Sequence, residues 1–234
     1  MKVHDAIVLI TGANRGIGLA FAEVALARGA RKVYAGARNP ASISTPGLIP
    51  VKLDVTSDQD VAAAARTCSD VTLVINNAGI AQKGGVLDPK AIEAARVQFD
   101  TNVLGIVRMT QAFAPVLARN GGGAFLNVLS AASWINSGAM TAYAVSKAAA
   151  WSLTNGLRNE LRQQGTQVLG LHVGFVDTDL ARGLEVAKVS PQSVANAAFD
   201  ALEAGTSEVL ADDRARAVKR GLTQEPPIYL QEPL

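Results

Sequence analysis

Cysteine and histidine are scarce in this sequence. Its 234 residues include one cysteine, Cys68, and two histidines, His4 and His172. A single cysteine cannot form a disulfide within the chain, which fits a cytoplasmic protein. Zinc sites in proteins draw mainly on cysteine and histidine, so the sequence predicts no metal site. Cys68 and His172 are interpreted as ordinary core or surface residues.

An excess of one charge and long apolar runs are also lacking. The formal net charge is +2, and the basic residues are scattered along the chain. This weak charge argues against nucleic acid or an anionic membrane as a partner. No apolar run approaches the ~18–20 residues of a membrane-spanning helix. The first residues lead straight into a strand-like run, so no secretory signal is expected.

Apolar strand-like runs alternate with segments of helical periodicity. Strands that are apolar throughout and separated by helices indicate a parallel sheet covered on both faces. The sequence therefore predicts one α/β domain over residues 1–234, a Rossmann-like doubly wound parallel sheet flanked by helices. The predicted strands are 6–12, 32–38, 48–55, 71–79, 124–130, 167–173 and 208–212, and the predicted helices are 17–29, 57–68, 88–119, 143–164 and 191–204.

The glycine-rich stretch "TGANRGIG", residues 11–18, lies between the first predicted strand and the first predicted helix. Gly12, Gly16 and Gly18 permit a tight turn and let the backbone approach a pyrophosphate at a helix N-terminus. Asn14 and Ile17 belong to the same candidate cofactor loop. The alternative is a simple strand-to-helix turn, but the flanking strand and helix favour a dinucleotide site.

The residues that follow the second predicted strand point to one cofactor. NAD sites usually carry an Asp or Glu roughly 20 residues past the glycines, whereas this chain has "AGARNP" there, with Arg38. A guanidinium can bind a 2′-phosphate through two charge-assisted hydrogen bonds. Arg15, inside the glycine loop, is a second candidate contact. Unless both are ordinary surface arginines, the cofactor is NADP, with NADPH preferred over NADH.

Six motifs in order resemble the short-chain dehydrogenase/reductase family of the Ser-Tyr-Lys type, over nearly the whole chain. They are "TGANRGIG" at 11–18, "LDV" at 53–55, "NNAG" at 76–79, "TNVLG" at 101–105, "NVLSAAS" at 127–133 and "YAVSK" at 143–147. The resemblance implies hydride transfer between NADP(H) and a carbonyl or secondary alcohol.

The resemblance also implies roles for four residues. Tyr143 is the expected proton donor or acceptor for the substrate oxygen. Lys147, four residues on and so on the same face of a helix, is expected to lower the pKa of Tyr143 and to bind the nicotinamide ribose. Ser130 is expected to bind the carbonyl oxygen. Asn102 is expected to support the lysine through a water-linked proton path, although it can equally satisfy local backbone groups.

Other cofactor contacts follow from the same resemblance. Asp54 can instead cap the next helix. The family usually has proline where this chain has Val173, which puts the rigidity of the following loop in doubt. The implied contacts, besides Tyr143 and Lys147, are Asp54, Val55, Asn77, Ala78, Gly79, Gly174, Val176 and Thr178.

Loops at the carboxyl ends of the strands supply the candidate substrate pocket. Most of these residues are apolar, which favours a hydrophobic substrate, although they can equally be packed loop anchors. A short lid is expected at 180–190 and an extended tail at 223–234. The candidate pocket residues are Ile80, Gln82, Trp134, Ile135, Met140, Phe175, Leu180 and Leu184.

Two other function classes compete with a reductase. A non-catalytic NADP-binding regulator would have a broken Ser-Tyr-Lys set, and this set is intact. A non-redox dehydratase or epimerase would need further acid or base residues, and none stands out. By resemblance, we expect a homodimer or homotetramer formed through the helices near 100–119 and 143–164.

Overall fold

A parallel β-sheet forms the centre of the computed structural model, which describes residues 1–231. Its strands are β1 (Ile7–Thr11), β2 (Lys32–Ala37), β3 (Leu48–Lys52), β4 (Leu73–Asn76), β5 (Ala124–Val128), β6 (Gln167–His172) and β7 (Glu208–Leu210). They lie in the order β3-β2-β1-β4-β5-β6-β7, with every pair parallel. The order reverses between β1 and β4, where doubly wound sheets bind their ligands. The predicted fold class is confirmed.

Helices cover both faces of the sheet, which is why the central strands are apolar along their whole length. One face packs against the first and sixth helices, where the Phe21 and Phe199 rings meet edge to face at 5.4 Å. The other face packs against the second, fourth and fifth helices through residues such as Met109, Phe113 and Leu157. The helices are α1 (Gly16–Ala27), α2 (Asp58–Thr67), α3 (Ala91–Phe99), α4 (Gly105–Arg119), α5 (Thr141–Glu160), α6 (Pro191–Glu203) and α7 (Asp213–Gly221).

The predicted helix at 88–119 is divided. Asp88 precedes it in a turn, accepting from the Lys90 and Ala91 amides, and α3 starts at Ala91. A π-helical segment, Asp100–Leu104, then joins α3 to α4. Such a segment inserts an extra residue per turn and often lies at a functional site. It contains Asn102, and its geometry decides where that side chain points.

The carboxyl-terminal part differs most from the prediction. Helix α7 was not predicted; it is short, has few apolar residues, and its N-cap is Asp212. The tail is not extended throughout, because Ile228–Leu230 forms a 3-10 turn. Ile228 packs against Gly221, where an added Cβ would lie 2.8 Å from the Ile228 Cβ. The end of the predicted tail, 232–234, lies outside the described residues.

Residues 1–231 include no helix that is both long and apolar enough to cross a membrane. In the same range, no group of three or more His, Cys, Asp and Glu side chains is placed to hold a metal ion.

Candidate active site

Three of the predicted catalytic residues meet at the carboxyl end of β5. Ser130 lies two residues past the end of β5, and Tyr143 and Lys147 lie in the first two turns of α5. The Tyr143 hydroxyl lies close enough to the Ser130 side chain for the serine to lower the pKa of the phenol. The Lys147 Nζ donates to the Val128 carbonyl at 2.8 Å and lies 5.8 Å from the centroid of the Tyr143 ring. The lysine is 6 % exposed, so a single backbone carbonyl anchors a buried ammonium beside the phenol.

Burial shifts the pKa values of both side chains. It raises the pKa of Tyr143, an effect that the nearby Ser130 side chain only partly opposes. It lowers the pKa of Lys147 to about 8. For the chain by itself burial decides the direction, because removing the phenolate from water outweighs the opposing effect of Ser130. That Lys147 lowers the pKa of Tyr143 stays a prediction. Near pH 7 the site therefore holds a neutral phenol beside an ammonium.

Asn102 contacts the backbone around the site rather than Lys147. Its side-chain oxygen accepts from the Ile80 amide at 2.9 Å, and its Nδ2 donates to the Ile80 carbonyl and to the Ser146 hydroxyl, each at 2.9 Å. Ser146 in turn donates to the Tyr143 carbonyl at 2.7 Å. Asn102 thus ties the loop after β4 to the first turn of α5. This matches the alternative reading, in which Asn102 satisfies local backbone groups.

The glycine loop is closed tightly against the end of β4. An added Cβ at Gly18 would lie 2.2 Å from the Gly12 carbonyl oxygen, so α1 approaches the loop more closely than any larger residue allows. Asn77 completes the closure, because its Nδ2 donates to the Thr11 and Gly12 carbonyls at 2.9 and 3.2 Å. The Thr11 hydroxyl accepts from the Asn77 and Ala78 amides. Asn77 and Ala78 therefore hold the glycine loop against the end of β4.

The N-terminus of α1 has the features of an anion site. Its N-cap, Arg15, makes no capping hydrogen bond, and its first turn holds no acidic residue. Amides of the first turn are then free to donate to a phosphate. Gly16 begins the helix at φ +56°, with Thr178 against it, since an added Cβ would lie 3.3 Å from the Thr178 Cγ2. Asn14 is exposed and Ile17 is partly buried against the core. This geometry fits a dinucleotide.

The two arginines predicted to contact a 2′-phosphate differ in their surroundings. Arg38 is exposed and forms no hydrogen bond or ion pair with any described residue. Arg15 is also exposed, but its Nη1 lies 3.1 Å from the Asp179 carboxylate. Asp179 pairs in addition with Arg182. Arg38 is thus available to a ligand, whereas Arg15 already has a partner.

Asp54 lies near Arg38 and does not cap α2, whose N-cap is Ser57. Its Oδ1 accepts from the Thr56 amide at 3.0 Å and from the Thr56 hydroxyl at 2.8 Å. Partial burial alone would raise the pKa of Asp54, but these hydrogen bonds and the positive charge of Arg38 leave it below its ordinary value. A carboxylate held in this way carries its negative charge at neutral pH.

The remaining predicted cofactor contacts line the same edge of the sheet. Gly79 lies between two site residues, since an added Cβ would be 3.2 Å from the Asn102 oxygen and 3.8 Å from the Lys147 Nζ. Val55 is buried against the π-helical segment, and an added Cβ at Gly105 would lie 2.9 Å from its Cγ2. The Gly174 amide, just past β6, donates to Asp212.

The predicted lid is a loop whose ends are tied together. Val176 forms a parallel bridge with Val189, and the Asp177 amide donates to the Val189 carbonyl at 2.9 Å. A cleft of about 300 Å³ beside the lid is lined by residues that include Gly16 and Thr178. The lid residues Arg182 and Lys188 line a second cleft of about 300 Å³, which also includes Thr178. Val173, which stands where proline was expected, is buried, and its carbonyl accepts from the Ala131 amide at 3.0 Å.

Two residues that support the site were missed or left unassigned in the sequence analysis. Asp212 is 5 % exposed, and its carboxylate accepts from the Gly174 and Ala215 amides, each at 2.7 Å. The signal for it was an Asp just before a polar helix. His172 is fully buried beside Ser130. Trp134, a predicted pocket wall, packs against His172 at a centroid distance of 3.9 Å and is also a packing residue.

Comparisons with known proteins agree with this geometry. The sequence model described as short chain dehydrogenase matches residues 6–188. A short chain dehydrogenase from Burkholderia cenocepacia, solved in complex with NADP, is 37% identical with a TM-score of 0.92, covering 97% of this chain and 96% of its own.

Two more distant relatives extend the comparison. An uncharacterized oxidoreductase of Staphylococcus aureus is 30% identical over 211 residues, 85% of this chain and 91% of its own. A short chain dehydrogenase/reductase from Burkholderia phymatum, solved in complex with NAD, is 24% identical with a TM-score of 0.87 and covers 100% of this chain and 99% of its own. Because the identity to the Burkholderia phymatum protein is only 24%, this comparison supports the shared fold alone.

Proposed function

The chain belongs to the short chain dehydrogenase family of oxidoreductases, and on this premise we propose that it transfers a hydride between NADP(H) and a small carbonyl or secondary alcohol substrate. One observation carries the proposal. A neutral phenol, beside the Ser130 side chain and the buried ammonium of Lys147, lies at the same edge of the sheet as the glycine loop. That edge is where doubly wound sheets bind ligands.

Each catalytic residue has a defined task in carbonyl reduction. Held by the glycine loop and the N-terminus of α1, NADPH would supply the hydride that the carbonyl carbon accepts. Tyr143 gives its hydroxyl proton to the carbonyl oxygen, so an alcohol forms and a phenolate remains. The Ser130 hydroxyl holds the carbonyl oxygen and opposes the charge that develops there. The Lys147 ammonium lies close enough to stabilise the phenolate.

Reduction is the direction that the protonation states favour. Because burial raises the pKa of Tyr143, the phenol keeps its proton at neutral pH and is ready to act as an acid. The Lys147 pKa of about 8 keeps most of the lysine charged at the same pH. Oxidation of an alcohol would instead need a phenolate at the start, which burial disfavours.

Residues of this chain also support the choice of NADP. The glycine loop and the N-terminus of α1 would hold the pyrophosphate. Arg38 is unpaired among residues 1–231 and lies just past β2, and it would bind the 2′-phosphate. Arg15 would join it after exchanging Asp179 for the phosphate. One relative was solved with NADP and a more distant one with NAD. The proposed preference for NADP therefore rests on Arg38 and Arg15 rather than on the relatives.

Exposed apolar side chains support the proposals of a hydrophobic substrate and of an oligomer. Leu180 and Val186 of the lid are 61% and 45% exposed, and a hydrophobic substrate would cover such groups when bound. Away from the site, Val97, Phe99 and Val145 are 44%, 39% and 53% exposed on α3 and α5. Their burial would stabilise a homodimer or homotetramer, which analytical ultracentrifugation measures directly.

Turnover tests the proposal. The purified protein is assayed with NADPH and a panel of hydrophobic aldehydes and ketones, following the loss of NADPH absorbance. Tyr143→Phe keeps the ring but removes the proton donor, and it should lower kcat by about 100-fold or more. Tyr229→Phe, at a side chain that is 56% exposed, is the matched control and should leave kcat unchanged. NADPH binding without turnover would favour the regulator instead.

Cofactor titration tests the preference separately. Fluorescence of NADPH and NADH is followed for the wild type, Arg38→Asp and Arg31→Asp. Loss of two charge-assisted hydrogen bonds, at about 1.5 kcal/mol each, predicts roughly 100-fold weaker NADPH binding in Arg38→Asp, with NADH binding retained. Arg31 is exposed and controls for the charge reversal itself. Equal affinities of the wild type for NADPH and NADH would contradict the assignment of Arg38.

A further inference from the structure

A buried histidine contacts the main chain of the candidate catalytic serine. His172 ends β6 with 0% exposure, and its Nδ1 lies 3.1 Å from the Ser130 carbonyl oxygen. A carbonyl can only accept, so Nδ1 carries the proton in this contact. Within residues 1–231, this ring is the one side chain that bonds the Ser130 backbone.

The surroundings of the ring hold it in this orientation. Trp134 stacks on it with a centroid distance of 3.9 Å and an interplanar angle of 16°. The Nε2 atom lies 3.6 Å from the Glu208 carboxylate, which is too long for a hydrogen bond. Glu208 is engaged by Lys219 at 2.8 Å, and the Lys219 Nζ lies 4.6 Å from the Trp134 ring. The ion pair and the indole therefore enclose the imidazole.

Packing alone does not explain an imidazole at this position. Its Nε2 is buried without a hydrogen-bond partner among the described residues, which an apolar side chain of similar size would avoid. Burial lowers the pKa of His172 to about 4, so the ring is neutral near pH 7 with its proton on Nδ1. What the histidine adds is one donor directed at Ser130.

Both the side chain and the carbonyl of Ser130 make contacts that fix its orientation. Its backbone is extended, and its hydroxyl accepts from the Ala132 amide at 3.1 Å and lies beside the Tyr143 phenol. Its carbonyl accepts from both His172 and the Ser133 amide. Two donors on one carbonyl restrict rotation of the peptide plane, and this sets the direction of the serine side chain.

We propose that His172 is a positioning residue, which orients Ser130 toward Tyr143 and the substrate oxygen through the donor on Nδ1. Trp134 and the Glu208–Lys219 pair hold the ring in place. The kinetic consequence rests on the proposed function, whereas the geometric consequence, the alignment of Ser130 with Tyr143, does not.

Two amide variants separate the donor from the bulk of the side chain. His172→Asn places an N–H at the δ position, and His172→Gln places one at the ε position, away from Ser130. We expect His172→Gln to lower kcat by about tenfold while KM and the NADPH Kd change less than twofold, and His172→Asn to retain most of the activity. In a Ser130→Ala background, the effect of His172→Gln should disappear, because contacting residues are not additive.

A titration without substrate or cofactor distinguishes this inference from the proposed function. The absorbance of the Tyr143 phenolate is followed against pH, with Tyr143→Phe subtracted. Ser130→Ala and His172→Gln should each raise the pKa of Tyr143, and His172→Asn should leave it near the wild-type value.

The possible outcomes distinguish failure of the proposed function from failure of the positioning role. If no carbonyl is reduced but the titration behaves as expected, the proposed function fails and the positioning role stands. If His172→Gln leaves both the titration and kcat unchanged, or if its effect is the same with and without Ser130, the positioning role is overturned. Equal losses in His172→Asn and His172→Gln would also overturn it.

Discussion

Lys147 should cost the folded protein stability, and Lys147→Met should therefore stabilise it at neutral pH. Burial lowers the lysine pKa from 10.5 to about 8, which corresponds to roughly 3 kcal/mol. Methionine also loses the hydrogen bond to the Val128 carbonyl, worth about 1 kcal/mol. The expected net gain in the free energy of unfolding near pH 7 is about 2 kcal/mol.

The stability difference between Lys147→Met and the wild type should depend on pH in one direction. Below about pH 8 the lysine is protonated in both states, and the full cost of the buried charge is present. Between pH 8 and 10.5 only the unfolded state keeps the proton, so the stability of the wild type rises with pH. The advantage of Lys147→Met should thus shrink toward zero by about pH 9.5.

Urea unfolding of the cofactor-free protein at several pH values measures this difference. Lys83→Met, at an exposed lysine, is the matched control and should show little change at any pH. A Lys147→Met variant less stable than the wild type at pH 7, or a gain that does not change with pH, would refute the reasoning. The same variant should lose most of its turnover, which would separate the catalytic use of the charge from its cost to stability.

Two further changes probe the glycine loop and its surroundings. Gly18→Ala places a Cβ 2.2 Å from the Gly12 carbonyl oxygen, so we expect a lower melting temperature and at least tenfold weaker NADPH binding. Gly156→Ala, at a helix position with room for a methyl group, is its control and should be neutral or slightly stabilising. Asp179→Asn releases Arg15 from an exposed ion pair and should strengthen NADPH binding about two- to fivefold, less so at high salt. Weaker binding in calorimetric titrations of this variant would exclude Arg15 as a phosphate contact.

Features that depend on local sequence were predictable. The strands at the centre of the sheet show as uninterrupted apolar runs because helices cover both faces, and this pattern indicated the doubly wound fold. The glycine spacing indicated the tight turn at residues 11–18, and the spacing of Tyr143 and Lys147 placed both on one face of α5. These patterns arise from the geometry of a few consecutive residues, so the chain carries them without reference to distant partners.

Helix boundaries and α7 were less predictable. The π-helical segment at Asp100–Leu104 has no distinct periodicity in so short a run, and it directs Asn102 to Ile80 and Ser146. The helix α7 buries only Ala215, Val218 and Gly221, so its apolar pattern is weak. Its place was set by packing and by the Asp212 carboxylate, which binds Gly174 from across the edge of the sheet.

By itself, the sequence determined the order of the strands and of most helices, the glycine loop and the identity of the candidate catalytic side chains. Only the tertiary structure decided how those side chains are charged and oriented. Burial raises the pKa of Tyr143 and lowers that of Lys147, and Arg15 is held by Asp179 while Arg38 stays unpaired among the described residues. Desolvation and ion pairing depend on which distant segments meet in space, and spacing along the chain does not contain that information.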